Sequence, residues 1–207
     1  MIKEKSKTWR NFSLFVGKIF AKLPFSPDFY SWMTIPVAVI GFIFIANGKL
    51  LWGCFFFFLS GVLDIIDGSC ARVRGKMTHR GAFLDGILDR FVDFIYVGSF
   101  FWLPMQFPVL SINLWIYMAG FGVMMPSFIV AYANHRQAVI DPEEKKIWRI
   151  LNRGEIYFLI LLIIVSAHWS SVLAGWLLII LVVLSGINIL QSFILAMRLA
   201  SADQSSD

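Results

Sequence analysis

The sequence predicts an all-α integral membrane protein, with six transmembrane helices behind an N-terminal amphipathic surface helix. Three observations predict it. Of the 207 residues 58% are hydrophobic and only 15% charged, and the mean hydropathy of +0.75 is too apolar for an ordinary soluble domain. Apolar runs long enough to cross a bilayer, about 20 residues each, recur between short polar stretches. Lys and Arg gather in alternate connections between those runs, as the positive-inside bias requires. The net charge of +5 belongs to that bias; it does not mark a nucleic-acid surface.

Residues 1–27 form the amphipathic segment. Trp9, Phe12, Phe15, Val16, Ile19 and Phe20 alternate with basic residues, a pattern suited to a helix lying on a membrane surface. Lys18 and Lys22 interrupt the run too early for a cleaved signal peptide. Pro24 and Pro27 end this helix, and residues 28–199 follow as the membrane domain. Its six spans are predicted at about Phe29–Ala46, Leu50–Arg72, Gly81–Pro104, Ser111–Tyr132, Glu155–Trp169 and Leu173–Met197. Asn47-Gly48-Lys49 makes the first turn, and residues 200–207 read as a disordered tail. Six basic residues precede the first span, four lie around the second connection, and five run from Arg136 to Arg153, whereas the opposite connections hold only Lys49. That asymmetry places both termini on the cytoplasmic side of a cell membrane. Cys54 and Cys70 read as packing residues, and Asn188, Gln191 and Ser192 as helix-to-helix hydrogen bonds in the last span.

The chemistry is concentrated between Asp64 and Asp93. Four acids obey one spacing, Asp64-x2-Asp67-Gly68-x2-Ala71-Arg72-x8-Gly81-x3-Asp85-x3-Asp89, and Asp93 follows one turn later. A charge in the bilayer centre costs roughly 2.5–3.5 kcal/mol, so acids in apolar helices face a cavity, a cation or each other. Steps of three and four put Asp64 with Asp67, and Asp85 with Asp89, on single helix faces. Gly75, inside the basic stretch Arg72 to Arg80, lets the chain turn back, so two antiparallel helices bring the four acids to one place. Like charges that close need compensation. Two hard divalent cations bound through oxygen provide it and suit phosphoryl chemistry. Gly68 and Gly81 admit close backbone approach of a ligand, and Arg72 aims a guanidinium at phosphate.

This spacing is similar, without a departure, to the signature of the CDP-alcohol phosphotransferase family, membrane enzymes of phospholipid head-group synthesis. The resemblance implies transfer of a phosphatidyl-type group from a CDP-linked lipid (CDP-diacylglycerol or CDP-archaeol) to a polar alcohol, with release of CMP. It implies two Mg2+ or Mn2+ ions on Asp64, Asp67, Asp85 and Asp89, with Asp89 as general base. Gly68, Ala71, Arg72 and Gly81, with Asp67, would receive the CDP group. Ser26-Pro27-Asp28-Phe29-Tyr30-Ser31 resembles the family's Pro-Asn-x-x-Thr entry to the first membrane helix, which adds Asp28 and Ser31 to the nucleotide corner; an N-cap role explains Asp28 equally well. Asn152-Arg153-Gly154-Glu155 resembles a segment of members that use inositol phosphate. Arg136 and Arg153 are therefore expected at a phosphate on the acceptor, with inositol 1-phosphate favoured over glycerol 3-phosphate or serine. The rest of the Arg136 to Arg153 run reads as ordinary positive-inside charge. A homodimer is carried over by analogy.

Two readings from other classes compete. A cation transporter predicts acids at mid-membrane and broken or repeated helices, whereas these acids sit beside Arg72, Arg74, Lys76 and Arg80. A catalytically dead scaffold predicts the loss of at least one motif acid, and all four are present. Asp93 is expected to orient Arg90 or a basic loop residue.

Overall fold

A computed structural model describes residues 14–75, 77–107, 110–136 and 150–203. Among them the chain is helical, and it divides into two compact units, Met1–Tyr96 and Val97–Asp207. Residues 14–20 are helical, and then come α1 (Pro27–Ala46), α2 (Leu50–Val73), α3 (His79–Gly98), a 3-10 turn (Ser99–Trp102), α4 (Ile112–His135), α5 (Arg153–Trp169) and α6 (Ser171–Asp203).

In the first unit, α1 begins where Ser26 accepts a hydrogen bond from the Phe29 N–H at 3.2 Å, with Pro27 at the first helical position. Asp28 is thus in the first turn and is not the cap. The buried residues Tyr30, Ser31, Thr34, Ala38, Gly41 and Ile45 form a stripe at steps of three and four. Gly48, at φ +75°, closes the turn into α2. The two helices then cross closely: a Cβ at Gly53 would overlap Ile45 and come 2.8 Å from the Gly41 carbonyl. The Ser60 hydroxyl donates to the Thr34 carbonyl at 2.9 Å. Gly75, at φ +62°, makes the second reversal, and Tyr96 of α3 donates to the Phe57 carbonyl of α2 at 3.1 Å. Phe57 is fully buried, while Phe55 and Phe58 face outward with Trp32, Ile43, Phe91 and Phe94, an apolar exterior fit for lipid.

The second unit is built by similar close approaches. A Cβ at Gly122 of α4 would overlap Ser185 of α6, and Gln106 donates its N–H to the Ser171 carbonyl at 3.2 Å. Asn152 and Glu155 form a reciprocal capping box that starts α5. Asn188 and Gln191 hold the segment before α5, through the Leu151 carbonyl at 3.1 Å and the Ile150 N–H at 3.0 Å. The predicted helix-to-helix bonds are thus helix-to-loop bonds for these two residues.

Among the described residues, four helices are long and apolar enough to cross a membrane: Pro27–Ala46, Leu50–Val73, Ile112–His135 and, within α6, Ser171–Ala200. The other two predicted spans are helices of a different kind. The third carries Arg80, Asp85, Asp89, Arg90 and Asp93, and α5 has 17 residues. The third also stops at Gly98 instead of Pro104, because the chain tightens into the 3-10 turn and Leu103 is extended ahead of Pro104. At the other end, α6 continues to Asp203, into the predicted tail, while residues 204–207 lie outside the described residues. Of the predicted amphipathic segment, residues 1–13 lie outside the described residues. Residues 14–20 turn Val16 and Phe20 towards the core of Tyr30, Ile66 and Cys70 and leave Phe15 and Ile19 exposed.

Candidate functional site

The α2 and α3 helices supply the acids. Residues 57 and 96 pair at one end and 67 and 85 at the other, so the helices run antiparallel, as the Gly75 turn predicts. Asp64, Asp67 and Asp85 each bring a carboxylate oxygen within 4.8 Å of the others. Asp89 lies a turn further along α3, outside that trio, and is half-buried. Asp93 is buried and pairs with Arg90 at 3.1 Å, one of the two roles expected of it.

Asp67 is the most enclosed of the three at 5% exposure. Its Oδ1 accepts the Gly68 N–H, and its Oδ2 is buried with no hydrogen-bond partner among the described residues. A buried acceptor in that condition costs about 1–3 kcal/mol unless a cation or a proton meets it. Carboxylate oxygens are also the donors that Mg2+ and Mn2+ prefer. The trio therefore fits a divalent cation.

The start of α1 lies against this centre. Ser31 is buried and faces Asp67, and the Asp28 carboxylate is 3.9 Å from where a Cβ at Gly81 would stand. With Ser26 as the cap, Asp28 is turned to the site by the helix it does not cap. Arg72 lies over Gly68, its guanidinium 3.5 Å from where a Cβ would be, and donates to Ser69 Oγ at 3.3 Å. The room expected over Gly68 is thus bordered by Arg72 itself. Ala71 stands beside it on α2, half-buried.

Sequence reasoning missed Thr78, whose Oγ1 accepts the Gly81 N–H at 3.0 Å and so fixes the first turn of α3. A Thr directly before a helix was the available signal. Arg136 and Arg153 belong to the second unit. Arg136 folds back on its own helix, donating from Nε to Tyr132 Oη at 3.1 Å over the Tyr132 ring, and Arg153 opens α5. Lys145, Lys146 and Arg149 lie outside the described residues.

Known proteins resemble the chain in both sequence and fold. It is 30% identical over 121 residues to the bifunctional IPC transferase and DIPP synthase of Aquifex aeolicus, an alignment covering 56% of this chain and 27% of that protein. It is 32% identical over 88 residues to the phosphatidylinositol phosphate synthase of Corynebacterium glutamicum, covering 42% of this chain and 40% of that one. The chain thus spans less than half the length of these relatives. The fold matches crystal structures of the Mycobacterium tuberculosis phosphatidylinositol phosphate synthase. With CDP-DAG bound, that structure gives a TM-score of 0.72 at 19% identity, over 90% of this chain and 94% of that one. In complex with manganese and citrate it gives 0.72 at 21% identity, over 89% and 88%. Residues 26–187, which contain the whole Asp64 to Asp89 signature, match the sequence profile of one family: the chain belongs to the CDP-alcohol phosphatidyltransferases.

Proposed function

We propose that the chain transfers a phosphatidyl-type group from a CDP-linked lipid, CDP-diacylglycerol or CDP-archaeol, to a hydroxyl of inositol 1-phosphate, releasing CMP. The observation that carries this reading is the convergence of Asp64, Asp67 and Asp85, beside Ser31, in a chain of this family. The CDP-DAG complex of the M. tuberculosis protein supports the donor class. The relatives named phosphatidylinositol phosphate synthase support the acceptor, together with the basic run ending at Arg153.

Two Mg2+ or Mn2+ ions held by Asp64, Asp67, Asp85 and Asp89 would supply positive charge to the donor pyrophosphate and to the departing CMP. Around them the chain's own groups bind and orient. Arg72 pairs with a phosphate of the CDP group, while Asp28, Ser31, Gly68, Ala71 and Gly81 shape the nucleotide corner. Asp89 takes the proton from the acceptor hydroxyl. That oxygen bonds to the phosphorus bearing the lipid, the bond from that phosphorus to the CMP oxygen breaks, and CMP leaves with the electron pair. Arg136 and Arg153 hold the acceptor phosphate.

Residues 28–199 act as the catalytic membrane domain, with α3 and α5 completing six spans and the helical residues 14–20 lying along the surface. The charge asymmetry puts both termini and the Asp cluster on the cytoplasmic side of the cell membrane, where CDP and a polar acceptor arrive from water while lipid tails stay in the bilayer. The functional unit is a homodimer.

The test is CMP release by purified protein in detergent with Mg2+ and either CDP-lipid, offering inositol 1-phosphate, glycerol 3-phosphate, serine or inositol separately. Release that depends on inositol 1-phosphate is expected. Release driven by another of the four instead would overturn the acceptor and keep the chemistry.

A further inference from the structure

Arg74 stands just past α2, seven residues beyond Asp67, and the sequence reads it as loop charge. Its side chain does something more specific. One guanidinium nitrogen donates to the Phe25 carbonyl at 2.6 Å, and the other to the Ala21 and Leu23 carbonyls at 2.8 and 2.5 Å. These carbonyls lie where the N-terminal helical segment ends, a place where acceptors lack helical partners and carry partial negative charge. The planar fork of an Arg suits such a set in a way a Lys ammonium does not.

The same segment is seated on α2 by packing. A Cβ at Gly17 would come 2.5 Å from the Ser69 carbonyl and 2.8 Å from Val73, so only glycine allows this approach. Val16, Phe20 and Ala21 pack on Tyr30, Ile66 and Cys70, and Phe25 stacks on Phe29 at 4.6 Å. Phe25 leads directly into the Ser26 cap and Pro27, whose ring fixes its φ. Asp28 follows immediately, and Ser31 one turn later. The α2 helix thus carries the acids at Asp64 and Asp67, and its C-cap residue Arg74 clamps the segment that leads into α1.

We infer that Arg74 is a positioning residue for the nucleotide half of the site, holding the Ala21–Phe25 linker so that Asp28 and Ser31 meet Asp67 and Gly81 in register. The inference rests on the proposed binding of a CDP group at this corner.

The experiment uses the full chain in detergent. CDP affinity in the presence of Mg2+, and Mn2+ affinity alone, are measured by calorimetry for the unsubstituted protein, Arg74→Ala, Arg74→Lys and Gly17→Val. KM for the CDP-lipid and for the acceptor are measured alongside. Arg74→Ala and Gly17→Val weaken CDP binding by about tenfold, the effect of roughly one charge-assisted hydrogen bond. They raise KM for the CDP-lipid in proportion, while kcat, acceptor KM and Mn2+ affinity stay within about twofold. Arg74→Lys falls between. If Arg74→Ala does not fold, Arg74→Lys and Gly17→Val carry the same comparison. CDP affinity equal to the unsubstituted protein in the folded variants overturns the inference, as does a loss of Mn2+ affinity in step with CDP, which is the mark of a general loosening. Absence of CDP binding in the unsubstituted protein would remove the nucleotide reading, and this inference with it.

Discussion

At Asp67, burial and an unpartnered oxygen occur in one side chain. A neutral amide of the same size would not carry a buried charge, so Asp67→Asn should fold at least as stably without metal. Turnover should nevertheless fall to background. Saturating Mn2+ should raise the melting temperature of the unsubstituted protein by roughly 5 °C and leave that of the variant unmoved, since only a state that binds the ion gains from it. An equal rise in both would remove Asp67 from the ligand set. The sequence made this residue legible, because spacing on a helix dictates which side chains share a face. That one of its oxygens is buried without a partner depends on how α2 is packed and left no trace in the sequence. The cap of α1 is a different case. Pro27 at the first helical position already pointed to Ser26, while Asp28, singled out by the resemblance of its segment to the family's Pro-Asn-x-x-Thr entry, could also have been the cap and is not.

The helices α1 and α2 show how the site is held. Their crossing depends on Gly41 and Gly53, neither of which the sequence reading used, because a glycine in an apolar run has no signature until its neighbour is known. Gly53→Val places a branched side chain against Ile45 and the Gly41 backbone. Overpacking of this kind costs about 1–3 kcal/mol, and thermal denaturation in detergent should show a lower midpoint, with CMP release per folded molecule largely kept. A midpoint equal to that of the unsubstituted protein would mean the two helices part without cost. The third helix illustrates the limit of hydropathy. Its apolar residues continue past Gly98, so the sequence predicts helix to Pro104, but the extended residue ahead of a proline and the 3-10 turn end it sooner. Its charges also keep it out of the set that is apolar enough to span by composition. Membership in a bundle, and not its own hydropathy, would have to keep such a helix in a bilayer.

For the whole molecule, family and helical class were legible because the signature is local and the apolar runs are long. The acceptor was not, since the signature lies in the first unit and Arg136 and Arg153, the residues proposed to hold its phosphate, lie outside it in the second. The sidedness proposed from the charge asymmetry can be checked directly. Met77 is exposed in the Gly75 to His79 turn, and the native thiols lie within α2. Met77→Cys should react with a membrane-impermeant maleimide in inside-out vesicles and remain unlabelled in intact cells. Labelling in intact cells would invert the topology and put the Asp cluster on the outer face. The account stands most directly on metal-dependent CMP release. Purified protein with CDP-diacylglycerol and inositol 1-phosphate should release no CMP in EDTA and regain full turnover on titration with Mg2+ or Mn2+, while Asp64→Asn, Asp67→Asn, Asp85→Asn and Asp89→Asn stay silent throughout. Turnover that persists in EDTA, or that survives in any of the four variants, would contradict the assignment of the Asp cluster as the metal centre of a CDP-lipid transferase.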